Sequence, residues 1–599
     1  MSIERSKRRS YMIAGLLALA LVGICARLYW IQLVSVRSFS PQQADLIARA
    51  EQQQRHEYVA ISGRGAIVDR QGRSMTGEVN WYLVAFPMNK NQLRLYEPKL
   101  RQLAEITGYT FDSLVQTLES LQVPQALPTS EGQELILDEE VIAEIKKLNI
   151  PGIYAIQSDN RFALERDARQ LIGRVARSAY LLRTKYAQDL EEGIYSPQSR
   201  IGITGLEAAF EPILRSQEEE IISYKVDGKG RPLNGLMVEN EKKKRTSDKL
   251  IPPGRLVTTL DRDVQRIVEK VMDEEQVREG AVVVQEISSG DLLAAASRPK
   301  VGKVTEEENP WDHRALMETP PGSIFKTVVA LAALDQGIVK ATDTFHCNGE
   351  LGRYGLKDSH SKGHGKQTFA QAYANSCNVV FGQVAEKLGG EVIEEYAKKL
   401  GFGRRIIWNE SLKEGEPPFY QLPYEETGLI FAAETSRKDG GAVAQTGIGQ
   451  RDVRVTPLQA VNMVTALFHN GKVPSPRLVQ EVQTEEGEVL QRFAPKNISS
   501  TSFRPETLKS VQEMMRTAVT HGTARSLSDA KWPLAAKTGT AQLGLAKDRF
   551  NKWMIGYGPV GKPQYAVAVV VNAVPDSDDG RAHSIFKKVM DSLAERERS

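Results

Sequence analysis

Cysteine is scarce in this sequence: only three cysteines occur among 599 residues, at positions 25, 347 and 377. A chain of this length with so few thiols does not depend on a disulfide framework. The spacing of Cys347, His360 and His364 matches no standard zinc motif, and a fourth ligand is missing from the pattern. We therefore predict that the sequence contains no metal site.

An excess of charge of either sign is also absent. Lysine and arginine number 78 and aspartate and glutamate 75, so the formal net charge is only +3. So small an excess creates no basic field that would attract nucleic acid, and we expect no nucleic-acid partner. Hydrophobic residues make up 41% and charged residues 26% of the chain. This balance and the length predict two or more folded globular units.

A long apolar run stands near the N-terminus. It extends over residues 11–26, continues past Arg27 to Leu33, and follows a basic segment that contains Arg5, Lys7, Arg8 and Arg9. We predict a cytoplasmic tail at 1–10, a single uncleaved transmembrane anchor at 11–33 and a catalytic domain outside the cytoplasm. The alternative is a cleaved signal peptide, because residues 18–20 (Ala-Leu-Ala) resemble a small-residue cleavage site.

A charged and apolar-poor segment, ENEKKKRTSDK at 239–249, precedes Pro252-Pro253-Gly254. Such a composition is typical of a linker or an exposed loop. We therefore predict a non-catalytic domain at 34–250 and a second domain at 251–599.

Helical and strand patterns alternate on both sides of this boundary. The spacing of apolar residues in DSLVQTLESL and DEEVIAEIKKLNI predicts helices in the first domain. In the second, Asp261 is a candidate cap for an opening helix, and GAVVVQEI, LLAAAS and QYAVAVVVNAV predict strands at both ends of the domain. The fold class is therefore α+β.

The motif Ser-x-x-Lys occurs five times, and the sequence around each copy must indicate which one is catalytic. On a helix, residues three apart share a face, so the lysine can accept the proton of the serine hydroxyl. The copies at Ser297, Ser359 and Ser528 lie beside prolines or turn residues. Ser584 is on a helix with one apolar stripe, which is typical of packing on a sheet. Ser323 instead follows Pro-Pro-Gly and begins an almost wholly apolar helix that ends at Gly337.

Two further words follow the Ser323 copy in the chain. The first is Ser376-Cys377-Asn378, and the second is Lys537-Thr538-Gly539-Thr540. Taken alone, Ser376 and Asn378 are more often residues of a turn or a helix cap, and Lys537 is more often a solvated charge on a strand. Together and in this order, the three words are the signature of penicillin-binding proteins and serine β-lactamases.

With these words in place, the chain resembles the class B high-molecular-weight penicillin-binding proteins. Other segments are similar to family motifs: RGAIVDRQGR from Arg64, GITGLE ending at Glu207, LVTTLD ending at Asp261, and TGIGQRDVRVTPLQ from Thr446. The segment after Glu207 departs from the usual family pattern. The resemblance implies a transpeptidase domain whose five-stranded antiparallel sheet lies between helices, preceded by a transmembrane helix and an extended pedestal or dimerisation domain.

The resemblance also implies the roles of the site residues. Ser323 would be the acylated nucleophile, Lys326 its base and Ser376 a proton relay. Asn378 would hold the substrate amide, and Lys537, Thr538, Gly539 and Thr540 would form the substrate-binding strand. The backbone N–H groups of Ser323 and Thr540 would form the oxyanion hole. In this strand, Gly539 is expected to let the substrate backbone approach closely.

The reaction implied is D-Ala-D-Ala transpeptidation, which cross-links peptidoglycan stem peptides and needs no metal or organic cofactor. The expected partners are stem peptides, β-lactam antibiotics, the cell membrane and other cell-wall synthesis proteins. A D,D-carboxypeptidase or a β-lactamase with the same site is one alternative. A membrane-anchored cell-wall scaffold or β-lactam sensor is an alternative of another class.

Overall fold

The computed structural model describes residues 2–34, 55–129, 135–162, 166–225, 239–244, 252–301, 309–410, 418–499, 503–543 and 549–598. The chain forms two compact units. The first comprises residues 1–62, 78–161 and 218–244, and the second comprises 63–77, 162–217 and 245–599. The predicted domain boundary between residues 250 and 251 lies outside the described residues.

A long helix begins the chain. It covers Ser2–Tyr29 and continues as a π-helical turn over Trp30–Val34. Within it, Tyr11–Gln32 has a mean hydropathy of 2.1. Its 22 residues rise about 33 Å, which is enough to cross the hydrocarbon core of a bilayer. A span close to the predicted anchor is therefore long and apolar enough to be transmembrane.

The first unit contains two small antiparallel sheets and a group of helices. One sheet pairs Gln125–Ala126 and Ile153–Ser158 with the central strand Asn80–Ala85. The other has the order Arg55–Ile61, Glu218–Lys225 and Glu239–Lys244. The helices are Lys90–Leu95, Glu97–Thr107, Phe111–Ser120 and Glu139–Leu148. The last two are the predicted helices, capped by the side chains of Thr110 and Asp138.

A five-stranded sheet forms the centre of the second unit. Its strands are β1 (Gly280–Glu286), β2 (Leu292–Arg298), β3 (Ala535–Gln542), β4 (Phe550–Gly558) and β5 (Tyr565–Val574). The order is β2-β1-β5-β4-β3, and every neighbouring pair is antiparallel. Since β1 pairs with β5, strands from the two ends of the domain meet, as predicted. Strand β3 lies at an edge of the sheet.

Helices cover both faces of this sheet. Residues such as Val282 and Val284 pack towards α1 (Arg262–Glu274) and α6 (Arg581–Arg596). The alternate residues Ala281 and Val283 face a larger core built with α2 (Lys326–Asp335), α3 (Asn378–Leu388), α4 (Pro457–Ala466) and α5 (Pro505–His521). A sheet with two apolar faces needs this cover. The predicted antiparallel sheet between helices is confirmed.

The remaining elements of the second unit are short. A four-stranded sheet has the order Ile67–Val68, Arg255–Thr258, Val479–Gln483 and Val489–Arg492. The other strands are Val175–Arg177, Arg200–Gly202, Thr344–Cys347, Glu350–Leu351, Leu356–Lys357, Gly365–Thr368, Asn409–Glu410, Phe419–Tyr420, Val473–Pro474 and Asn497–Ser499. The other α-helices are Arg169–Ile172, Ala179–Thr184, Ala187–Glu191, Gly205–Ala209, Glu211–Leu214, Phe369–Ala374, Gly390–Lys399 and Gly440–Gly447, and 3₁₀ turns cover Arg314–Leu316, Gly322–Phe325, Gly352–Tyr354 and Arg525–Leu527.

The strand Arg255–Thr258 corrects one prediction, because the sequence was expected to open this domain with a helix. Leu256 and Thr258 are buried, and the strand pairs with Val479–Gln483 on one side and with Ile67–Val68 on the other. These partner strands lie about 190 or more residues away in the chain, so no local sequence pattern predicts the pairing. The predicted helix α1 follows, and the Asp261 carboxylate accepts hydrogen bonds from its first turn.

Candidate active site

Ser323 lies on the turn that leads into helix α2. Gly322–Phe325 forms a 3₁₀ turn, and α2 begins at Lys326, so the serine precedes the α-helix on which it was expected. Gly322 has φ +54, and a Cβ atom there would stand 2.3 Å from the carbonyl oxygen of Thr540. Only glycine permits both this backbone conformation and this approach. The turn that contains Ser323 therefore packs directly against strand β3.

Lys326 is completely buried at the start of α2. Its Nζ donates to the Ser376 carbonyl oxygen at 2.5 Å, to Asn378 Oδ1 at 2.7 Å and to Ser376 Oγ at 3.3 Å. Burial lowers the pKa of Lys326 to about 8. An amine with such a pKa is neutral often enough near physiological pH to act as a general base.

Ser376 and Asn378 are held where one helix ends and the next begins. Ser376 has φ 58, a left-handed conformation, and follows the helix Phe369–Ala374. Asn378 begins α3; its backbone N–H donates to Asp358 Oδ2 at 2.8 Å and its Nδ2 donates to the Lys357 carbonyl oxygen at 2.9 Å. These bonds leave one amide N–H of the Asn378 side chain for another acceptor.

Lys537 reaches the same serine from the sheet. It is fully buried on β3, and its Nζ donates to Ser376 Oγ at 2.9 Å and to the Thr538 carbonyl oxygen at 2.9 Å. Burial, with the nearby charge of Lys326, lowers the pKa of Lys537 well below its usual value. Both lysine amines contact the Ser376 hydroxyl, so two ammonium groups there would repel each other. This repulsion favours the state in which one of the two lysines is neutral.

Gly539 has close protein neighbours on β3. A Cβ atom at this position would stand 2.9 Å from the Pro321 carbonyl oxygen, 2.9 Å from Ile324 Cγ2 and 3.0 Å from Trp553 Cβ. Packing against the turn around Ser323 and against β4 therefore requires a glycine here, and the predicted close approach of a substrate backbone stays a prediction. The missing side chain allows β3 to lie against Pro321 and Ile324, which flank Ser323 on the turn.

The two threonines alternate with these buried residues along β3. Thr538 is half-buried and its Oγ1 lies 2.7 Å from Thr523 Oγ1, whereas Thr540 is exposed. Because β3 is an edge strand, one side of its backbone is not paired within the five-stranded sheet. Such an edge can accept an extended peptide as an additional strand.

Hydrogen bonds thus join Lys326, Ser376, Asn378 and Lys537 into one network, although 161 residues separate Ser376 from Lys537. Among the described residues, no hydrogen bond joins the Ser323 hydroxyl to Lys326. The lysine is turned towards Ser376 and Asn378 instead. Ser323 stands three residues before Lys326, on the turn that packs against β3. Hydrogen bonds between reacting groups are often long before substrate binds.

The second copy of the same four-residue word has no such network. Ser584 Oγ donates to Glu275 Oε1 at 2.6 Å, and Lys587 Nζ donates to Asp529 Oδ2 at 2.7 Å. Its apolar neighbours on α6 are buried against the sheet. Ser584 is therefore part of a packing helix, as the sequence predicted.

A cluster of potential metal ligands lies behind the Ser376 turn. It consists of Cys347, Asp358, His364 and Cys377, whose ligand atoms all lie within 4.8 Å of one another. Cys347 Sγ is 3.8 Å from Asp358 Oδ2 and 3.9 Å from His364 Nδ1, and His364 Nδ1 is 3.5 Å from Asp358 Oδ1. Ligands of a tetrahedral zinc stand about 3.4–3.8 Å apart, given Zn–N and Zn–S bonds of about 2.0–2.3 Å. These residues therefore fit a zinc ion.

The cluster differs from the set of residues that the sequence analysis weighed as a zinc site. Cys347 and His364 were considered with His360, but the ligand set needs Asp358 and Cys377 in its place. Pairing of Thr344–Cys347 with Gly365–Thr368 sets Cys347 opposite Gly365 and so beside His364. Cys377 comes from the start of α3. Because the ligands lie on separate elements, their spacing in the chain resembles no zinc motif.

Comparison with known families gives two matches that together cover most of the chain. Residues 280–591 match the family described as penicillin binding protein transpeptidase domain. Residues 60–248 match the family described as penicillin-binding protein dimerisation domain. All the residues of the hydrogen-bonded network lie within the first match.

Similar proteins are known in several bacteria. Stage V sporulation protein D of Bacillus subtilis (strain 168) is 25% identical over 544 residues, which cover 85% of this chain and 74% of that protein. The peptidoglycan D,D-transpeptidase MrdA of Salmonella typhimurium (strain LT2) is 24% identical, with 88% of each chain covered. In a solved complex between penicillin-binding protein 2 and MreC from Helicobacter pylori, a similar chain has a TM-score of 0.58 and 21% identity, with 91% of this chain and 100% of that chain covered. At this identity, the last likeness concerns the fold alone.

Proposed function

The chain belongs to the penicillin-binding proteins with a transpeptidase domain and a dimerisation domain, and from this premise we propose that it cross-links peptidoglycan stem peptides through an acyl-enzyme on Ser323. The observation that carries the proposal is the meeting of Lys326, Ser376 and Lys537 beside the Ser323 turn. This arrangement provides a nucleophile, a base with a lowered pKa and a proton relay in one place.

The proposed reaction has two steps. Ser323 Oγ attacks the carbonyl carbon of the D-Ala-D-Ala peptide bond, and its proton passes to the neutral amine of Lys326. The C–N bond then breaks, and Ser376 relays a proton to the departing amine of D-alanine. In the second step an amine of a neighbouring stem attacks the ester carbon and forms the new amide. The bond between that carbon and Ser323 Oγ breaks, and a proton lost by the attacking amine passes through Lys326 to Ser323 Oγ. A β-lactam acylates the same serine, with its ring amide in place of the peptide bond.

Strand β3 is the proposed binding site of the stem peptide. The peptide would add to the open edge of β3 as a further strand, and Thr538 and Thr540 would donate hydrogen bonds to its terminal carboxylate. Lys537, when it carries the proton and Lys326 is neutral, would add positive charge behind them. The backbone N–H groups of Ser323 and Thr540 would stabilise the oxyanion, because Gly322 brings the turn and the strand together.

Transpeptidation can be tested directly with the purified protein in detergent. We expect incubation with a donor pentapeptide stem and an acceptor stem amine to give a cross-linked dimer and free D-alanine, because acyl transfer to the amine is the second step. Mass spectrometry would identify the products. Free acid without dimer would instead indicate a D,D-carboxypeptidase or a β-lactamase, and no turnover with intact labelling would indicate a β-lactam sensor.

The proposed location is the cell membrane, with a single pass and the N-terminus in the cytoplasm. The basic residues at 5–9 support this orientation, because positively charged flanks stay on the cytoplasmic side. A fluorescent penicillin that does not cross membranes would then label the protein in intact spheroplasts, whereas a cytoplasmic catalytic domain would stay unlabelled. Other cell-wall synthesis proteins are the proposed partners, in view of the solved complex of a similar chain with MreC.

We further propose that Cys347, Asp358, His364 and Cys377 bind one zinc ion that supports the site structurally. Asp358 accepts the N–H of Asn378, and Cys377 lies between Ser376 and Asn378. An ion there would hold the start of α3 and with it the two residues that contact Lys326. The ion would lie behind the turn and take no part in acyl transfer.

Metal analysis separates this proposal from a cluster without metal. We expect the untagged protein to contain about one zinc ion per chain, measured by inductively coupled plasma mass spectrometry. The reason is that four N, O and S ligands complete the coordination of one tetrahedral zinc ion. His364→Ala should lose the metal and lower the unfolding temperature. His360→Ala is the matched control and should keep the metal, because the ring centroids of His360 and His364 are 5.3 Å apart but His360 is not in the cluster. A metal-free wild type, or a disulfide between Cys347 and Cys377, would contradict the proposal.

A further inference from the structure

A third lysine lies at the substrate strand, and none of the three sequence words contains it. Lys552 is on β4 directly opposite Thr540 of β3 in the sheet register. Its side chain is almost fully buried, with 9% of the residue exposed. A buried lysine costs free energy unless its ammonium finds partners, so its contacts indicate why it is there.

The contacts of Lys552 determine the role of the Thr540 hydroxyl. Nζ of Lys552 lies 2.9 Å from Thr540 Oγ1 and 2.5 Å from the Ser577 carbonyl oxygen. An ammonium has three donors and no lone pair, so it must donate both bonds. Thr540 Oγ1 is then the acceptor, and its single proton is left to be donated to something else. Within the described part of the chain, no acceptor for that proton is found.

The surroundings of Lys552 support a charged side chain. Burial lowers the pKa of Lys552, and this effect is opposed by three nearby aspartates, Asp576, Asp578 and Asp579. These lie on the turn between β5 and α6, whose Ser577 carbonyl oxygen Lys552 also contacts. The acidic turn therefore helps to keep an ammonium group next to Thr540.

The other threonine of the strand is placed differently. Thr538 Oγ1 shares a hydrogen bond with the neutral hydroxyl of Thr523, in which either oxygen can donate. Lys537 is occupied with Ser376 Oγ and the Thr538 carbonyl oxygen. Of the two threonines, only Thr540 has a cation among these contacts. A hydroxyl that accepts from a cation is also a stronger donor to an anion.

We propose that Lys552 is a positioning residue for substrate binding: it holds the Thr540 hydroxyl as a hydrogen-bond donor aimed at the carboxylate of the bound stem peptide or β-lactam. The inference rests on the proposed function, which places that carboxylate at Thr538 and Thr540. Lys552 acts through Thr540 and need not touch the substrate. It also adds positive charge at the end of the strand away from Lys537.

A double-mutant cycle tests this role in the full-length protein. The second-order rate constant of acylation by a fluorescent penicillin is measured for the wild type, Lys552→Met, Thr540→Val and the double variant. We expect each single change to lower the constant about tenfold, because one charge-assisted hydrogen bond is lost or misdirected. The double variant should be no slower than the slower single variant, because both changes remove the same interaction.

Controls distinguish positioning from a purely structural effect. Lys562→Met changes an exposed lysine in the turn after β4 and should leave the constant unchanged. Lys552→Arg keeps the charge and the donors and should recover part of the loss. Effects of Lys552→Met and Thr540→Val that simply multiply, or a Lys552→Met variant as fast as the wild type, would overturn the inference. A wild type that is not acylated, or acylation that persists in Ser323→Ala, would overturn the proposed function itself.

Discussion

Replacement of Ser323 by alanine is expected to abolish covalent labelling by a fluorescent penicillin. The hydroxyl is the only group at this position that can form the ester, and loss of a serine nucleophile in other acyl-transfer enzymes costs about 10⁶-fold in turnover. The fold should survive, because Ser323 is only half-buried and the packing of the turn depends on Gly322. Gel fluorescence after incubation with the antibiotic gives the result, and the unfolding temperature verifies the fold.

Ser584→Ala is the matched control for this experiment, because it changes the serine of an identical four-residue word. Its hydroxyl donates to Glu275, the C-cap residue of α1, so the change removes one partly buried hydrogen bond between α6 and the end of α1. We expect a slightly lower stability, by about 1 kcal/mol, and normal labelling. If the Ser584→Ala protein keeps its unfolding temperature but loses the label, Ser323 is not the nucleophile we propose.

The second large effect is expected for Lys326→Met. Methionine fills a similar volume but cannot accept a proton, and loss of a general base typically slows a reaction 10²- to 10⁴-fold. The variant also leaves the Ser376 carbonyl oxygen and Asn378 Oδ1 without the donor that they have now. The acylation rate constant and the unfolding temperature are both to be measured. Lys587→Met, in the second copy of the motif, should be acylated at the normal rate.

The same lysine predicts a pH dependence of acylation. Burial lowers the pKa of Lys326 to about 8, and only the neutral amine accepts a proton. The rate constant of the wild type should therefore rise about tenfold per unit as the pH increases from 6, and level off above about 8. Lys326→Met should lose this dependence. A wild-type rate that is constant between pH 6 and 8 would argue against Lys326 as the base.

Much of the fold could be predicted from local patterns. Strands β1, β2 and β5 are runs of β-branched and small apolar residues, and α1 has its cap and apolar face within a few neighbouring residues. Such features depend on side chains that are close in sequence, so they can be predicted from the sequence alone. The strand Arg255–Thr258 could not be predicted, because both its partners come from remote parts of the chain.

The choice of Ser323 over Ser584 was also available from the sequence. A serine on an amphipathic helix is explained by packing, whereas a serine before a wholly apolar helix and after Pro-Pro-Gly is not. Membership of the transpeptidase family follows from the same words in the same order. The sequence does not show which atoms of the three motifs contact one another, because those distances depend on the tertiary structure.

The sequence by itself therefore determined the class of fold, the apolar N-terminal helix, the family and the residues proposed to act. Only the tertiary structure decided that Cys377 lies beside Asp358 in a cluster of metal-ligand residues, that Gly539 makes room for the turn around Ser323 and that Lys552 donates to Thr540. The physical reason is that these three facts depend on strand register and on the packing of turns. Both are set by contacts between residues far apart in the chain, which leave no periodic or spaced signal in the sequence.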